Sequence, residues 1–124
     1  MKRAIICMIG AAYFAASLWA SDCDRASTQA QLNACYGEDF AKADRALNKI
    51  RAALNADQKA ALKNAQAAWI DFRDLAREFE TINSKSGSIH TAALGVCLTE
   101  KTNARIAEIE KLANCEEGDI TCVR

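Results

Sequence analysis

Not one of the 124 residues is proline. Proline breaks helix interiors, and it punctuates the loops of turn-rich β-folds. A chain without it, and with only five glycines, points to long uninterrupted helices. The hydrophobic pattern agrees. Leu32, Tyr36, Phe40, Ala43, Leu47, Ile50 and Leu54 recur at spacings of three and four, which draws one stripe along a helix. Thr28 with Gln31 has the form of a capping box at its start. Gly37 falls inside this helix and costs about 1 kcal/mol relative to alanine, so a local irregularity is expected there. Asn55 with Gln58 repeats the capping arrangement. A second stripe follows through Leu62, Ala65, Trp69, Phe72, Ala76, Phe79 and Ile82, and the very short joint predicts an antiparallel hairpin. The stretch 83–90 (NSKSGSIH) is the one clear internal loop. A third stripe runs through Leu94, Leu98, Thr102, Arg105, Ile109 and Leu112, with Ile106 and Ala113 beside it. The expected fold is all-α, an antiparallel three-helix bundle with disulfide cross-links. Its helices fall at about 28–54, 56–82 and 91–113, and a cysteine-containing tail occupies 114–124.

The first twenty residues belong to a different population. Lys2 and Arg3 precede an uncharged apolar run from Ala4 to Trp19, and the small residue Ala20 follows. This is the pattern of a secretory signal peptide cleaved after Ala20, and the run is short for a bilayer span of about 20 residues. The expected product is residues 21–124, periplasmic or secreted and not membrane-bound after cleavage. Removing the leader takes away Lys2, Arg3 and Cys7, and leaves 14 basic against 16 acidic side chains, a net charge of −2. A basic excess tracking phosphates is absent, which argues against nucleic acid as a partner.

Five cysteines remain, an odd number, in a narrow alanine-rich core that needs cross-links. Cys23 lies just before the first helix and Cys35 about two turns into it, so the lead can fold back to join them, with about 3 kcal/mol of stabilisation in the loop-entropy picture. Cys97 and Cys115 on one helix would stand about 27 Å apart, beyond the roughly 7 Å reach of a disulfide. Cys115 and Cys122 flank a short stretch containing Gly118 that can close on itself. Cys97 is then unpaired, unless the tail folds back to it. A metal site from His90, Cys97, Cys115 and Cys122 is the sharper alternative, but the spacings match no zinc motif. No metal and no cofactor is expected.

Several polar side chains fall where the period predicts packing. Gln66, Trp69 and Arg73 share a face of the second helix. Asp44 and Asn48 flank the first stripe, and Thr102 and Arg105 lie on the third. A half-buried arginine needs an anion or carbonyls, which makes Asp44 a candidate partner for Arg73 or Arg105. These residues are expected to clamp helices together. No Ser-His-Asp set, paired-carboxylate cleft or phosphate-cradling loop is present, so the chain is not expected to be an enzyme.

Taken in order, these residues resemble a known family, the small exported LprI-type lysozyme inhibitors (the LprI N-terminal domain). The resemblance rests on Cys23 and Cys35 around Thr28-Gln29 and Leu32-Asn33, then Ala43-Asp44, Leu47-Asn48, Ala65-Gln66, Trp69 and Phe72-Arg73-Asp74. It continues through the Gly87-Ser88-Ile89 loop, Cys97-Leu98, Thr102 and Arg105, and spans nearly all of residues 21–124. It implies a helical, exported, non-enzymatic protein that binds lysozyme. Members of the family commonly carry a cysteine four residues after the motif arginine, the natural partner of Cys97, where this chain has Arg77. The resemblance therefore leaves open a Cys97–Cys122 link, with Cys115 then odd.

The function expected from the resemblance is a binding inhibitor of lysozyme or a related peptidoglycan-cleaving enzyme. The loop residues Lys85, Ser86, Ser88 and His90 are the candidate contacts, because they could reach the carboxylates of such an enzyme's cleft. Glu116, Glu117 and Asp119 could meet basic surface. The alternative is an immunity protein or envelope adaptor with a different protein partner, and metal or thiol handling through the odd cysteine ranks third.

Overall fold

A computed structural model of the chain describes Cys7, residues 22–116 and residues 118–122. The expected signal peptide, residues 1–20, lies outside the described residues apart from Cys7, as does Glu117. Among the described residues there are three long helices and no strand: α1 (Gln29–Ala53), α2 (Ala56–Glu80) and α3 (His90–Ala113). Short 3-10 turns at Cys23–Arg25 and Ile82–Ser84 precede α1 and follow α2.

The helix starts follow from local chemistry. At the head of α2 the Asn55 side chain accepts from Gln58 N (2.8 Å) and Gln58 Oε1 accepts from Asn55 N (3.0 Å), a complete reciprocal box. At α1 only half of that arrangement forms. Thr28 Oγ1 accepts from Gln31 N (3.1 Å), but Gln31 Oε1 turns back to Ser27, taking its N–H at 3.0 Å and its hydroxyl at 2.9 Å. The helix runs unbroken through Gly37.

Cross-helix contacts fix the directions. Tyr36, near the start of α1, lies against Gly95, near the start of α3, so these two helices run parallel. Gln66 of α2 meets Arg105 of α3, and Glu80 meets Lys101, so α2 runs antiparallel to α3. The core is concentrated between α1 and α3. Ala43 and Leu47 are buried on α1, and Ala92, Ala93, Val96, Cys97, Leu98, Thr102 and Ile109 are buried on α3. A Cβ at Gly95 would stand 3.1 Å from Tyr36 Cβ and 3.2 Å from its carbonyl oxygen, so the absent side chain is what permits this close approach.

The second helix corrects one expectation. Phe72, Phe79 and Ile82, read as core, are 61%, 77% and 60% exposed, and Ala65 is also exposed. The face turned inward is the neighbouring one, with Leu62 and Trp69 half-buried and Gln66 as the buried residue. Gln66 Oε1 has a partner on α3, the Arg105 guanidinium, which offsets part of the cost of burying this side chain.

The cysteine framework follows the arithmetic of the spacing. Cys23 bonds to Cys35, and Cys115 to Cys122, each with Cα atoms 5.7 Å apart. Cys97 is a free, buried thiol. The link to Cys122 that the family resemblance left open does not form.

Candidate functional site

Two places carry side chains beyond what packing alone requires: a cationic stack at the middle of the bundle, and the surface where α2 runs into the loop before α3.

The stack is built on Trp69. The Arg73 guanidinium lies 5.3 Å from the Trp69 ring centre and 5.5 Å from that of Phe40. Arg105 approaches Trp69 at 5.7 Å. Phe40, Arg73, Trp69 and Arg105 thus join all three helices through cation–π contacts, each worth on the order of 1 kcal/mol when partly desolvated. Arg73 Nε donates to Asp74 Oδ1 at 3.0 Å. Arg105 Nε donates to Gln66 Oε1 at 3.1 Å, and its Nη1 pairs with Glu108. Both arginine side chains are 11% exposed, so their stems fill space while their charges are met locally.

The expected partnership of Asp44 with Arg73 or Arg105 is not made. Asp44 Oδ2 instead accepts from Asn48 Nδ2 one turn along α1 (3.4 Å), and the arginines take carboxylates from their own helices, Asp74 and Glu108. Glu108, three positions on from Arg105, shares its face of the helix, and Asp74 adjoins Arg73 in the chain, whereas Asp44 would have to cross between helices. Gln66, Trp69, Arg73 and Arg105 therefore come together, and Asp44 stands apart. The amide Nε2 of Gln66 and the hydroxyl of Thr102 are buried without a hydrogen-bond partner among the described residues.

Below the stack, Lys101 Nζ pairs with Glu80 Oε1 at 2.7 Å and lies 5.6 Å from the Phe72 ring centre. Burial would raise the Glu80 carboxyl, but hydrogen bonds from Cys7 and Lys101 outweigh it and hold the group below its ordinary range. Burial pushes the neighbouring Glu100 carboxyl up, and the Cys97 thiol likewise. Cys7, Glu80 and Cys97 bring their ligand atoms within 4.8 Å of one another. Cys7 lies in the segment that the sequence reading expects to be cleaved. The metal set weighed from sequence is not assembled: Cys115 and Cys122 are tied to each other, and His90 Nδ1 is engaged by Ser84 Oγ at 3.0 Å.

The loop follows directly from the C-terminal end of α2. Thr81 Oγ1 donates to the Arg77 carbonyl (2.7 Å), Ser84 Oγ to the Thr81 carbonyl (2.8 Å), and Gly87 N to the Ser84 carbonyl (2.8 Å). These bonds hold the loop as a chain of tight turns. Lys85, Ser86 and Ser88 are exposed at its tip, while His90 is half-buried at the start of α3. Sequence reasoning missed the apolar surface beside this loop. Phe72, Leu75, Phe79 and Ile82 stand largely in water along the outer face of α2. The signal was present in the three- and four-residue spacing of Phe72, Leu75, Phe79 and Ile82, whereas the stripe read as core took Phe72, Phe79 and Ile82 with Ala76 and passed over Leu75.

Among the described residues no helix is long and apolar enough to cross a membrane. The two disulfides are consistent with an oxidising compartment.

Comparison with known proteins places this architecture. The chain is 34% identical over 114 aligned positions to an uncharacterized protein, R02472, of Rhizobium meliloti (strain 1021), an alignment covering 78% of this chain and 82% of the relative. No solved structure gives a significant match. The family described as "Lysozyme inhibitor LprI" matches residues 21–109, which hold all three helices up to Ile109 and the Cys23–Cys35 bridge. By that match, the chain belongs to the LprI lysozyme inhibitor family.

Proposed function

We propose that this protein is an exported inhibitor that binds lysozyme or a related peptidoglycan-cleaving enzyme, and that it acts by occupying the enzyme and not by catalysis. The observation that carries this reading is the family match over residues 21–109, which begins where the expected leader ends. Net charge adds support. Residues 21–124 carry a charge of −2, and opposite charge speeds encounter with the basic surface usual in lysozymes. In this reading the exposed tip Lys85, Ser86 and Ser88 enters the cleft. His90, held by Ser84, braces the base of the loop and does not make the contact.

The test is lysozyme turnover with purified residues 21–124 against several enzyme types. Inhibition of at least one type at micromolar protein is the expected result, and none against any type sinks the proposal. Replacing Lys85, Ser86 and Ser88 together by alanine is expected to weaken inhibition at least tenfold with the thermal transition unchanged. Undiminished inhibition would move the contact elsewhere on the molecule.

A further inference from the structure

The outer face of α2 is patterned for a partner. Ala61, Ala65, Ala68, Phe72, Leu75 and Phe79 follow one another along α2 at spacings of four and three, Ile82 stands in the 3-10 turn just past the helix end, and all are exposed. Leu75 is 72% and Phe79 77% exposed. A repeat of 3.5 residues keeps one seam facing a second helix, whereas a helix packed on a globular core needs only an approximate stripe. The four large side chains leave roughly 500 Å² of apolar surface in water, at the upper end of what a monomer ordinarily shows.

We propose that this seam is a self-association surface, and that the exported chain is a homodimer in which α2 pairs with α2 of a second copy in antiparallel sense. The area argues for a second copy. Two such patches together bury about 1,000 Å², the level at which specific interfaces begin. The order of residues argues for the antiparallel sense. A two-fold axis near residue 77 sets Phe72 against Ile82 of the second copy, and Leu75 against its Phe79, so large side chains meet large ones along the seam. Glu78 beside the axis is already accompanied by Arg77, at 3.8 Å, which lessens repulsion between the two copies. An isologous contact of this kind closes on itself and stops at two.

The test is the mass of residues 21–124 by sedimentation equilibrium and light scattering from one to about a hundred micromolar. A dimer is expected, and Leu75→Glu combined with Phe79→Glu is expected to raise the dissociation constant at least a hundredfold. Both side chains stand in water in the single chain, so the helical circular dichroism of the variant should match the parent and show that it folds. A parent monomeric at a hundred micromolar overturns the proposal, and so does a dimer that the double substitution leaves intact. The lysozyme assay run in parallel separates this from the inhibitor reading. A monomeric parent whose inhibition is lost in the double variant assigns the seam to the enzyme and overturns the dimer, whereas a dimer that inhibits nothing upholds it.

Discussion

Gly37 and Gly95 have the same local conformation and opposite surroundings. A Cβ at Gly37 meets nothing within 4 Å, whereas one at Gly95 presses on the Tyr36 backbone, with its carbonyl carbon at 3.3 Å. Gly37→Ala is therefore expected to stabilise the protein by up to about 1 kcal/mol through helix propensity alone. Gly95→Ala gains the same propensity but must push α1 away from α3, an overpacking cost of about 1–3 kcal/mol, so a net loss is expected. Chemical denaturation of the two variants checks both signs. Tyr36 itself supplies a pH probe, because it is the sole tyrosine of residues 21–124. Burial first, then the charges of Asp24 and Asp39, raise its phenol above the ordinary value of about 10. A raised folded-state value means that the protonated phenol favours the fold. The stability it contributes is complete below pH about 10 and is lost as pH rises through the folded value. Phenolate absorbance should titrate later in the folded chain than in denaturant, and coincident titrations would refute the argument.

Among the elements, α1 and α3 were legible and α2 was only half so. The stripe of α1 through Ala43 and Leu47 does turn inward, as does that of α3 through Leu98, Thr102 and Ile109. On α2 two stripes lie side by side, one through Phe72, Leu75 and Phe79 and one through Gln66, Trp69 and Arg73. Hydrophobicity alone chooses the first. The structure chooses the second, because Gln66 Oε1 accepts from Arg105 and Trp69 lies between two guanidinium groups. Those compensations belong to pairs 39 residues apart in sequence and to cation–π geometry, neither of which a single-helix period encodes. The cysteines were more legible, since two short closures leave one thiol over by distance alone. Asp44 was misread for a related reason: proximity across a bundle was inferred from register, while the guanidinium groups had nearer acids on their own helices. The exposed loop tip was visible as polar sequence, but the hydrogen bond of His90 to Ser84 that withdraws it from the tip was not.

At the scale of the whole molecule the closest-packed helices are α1 and α3, which are parallel and separated in sequence by all of α2. A parallel pair cannot be closed by a short turn, so its contacts are necessarily non-local, and the chain entropy of closing that distance must be met before the packing repays it. Helices α1 and α2, joined by two residues, meet chiefly through long side chains such as Phe40 and Arg73. A fragment ending at residue 89 therefore lacks the partner that both helices need. It is expected to show much less helix per residue by circular dichroism than residues 21–124, and native-like helicity in the fragment would contradict the account. Under the export proposed above, the same parallel pairing sets a timetable. A chain threaded amino-terminus first through a membrane pore cannot complete its fold until α3 has emerged, so it remains unfolded, and thus able to pass, through nearly the whole of its transit.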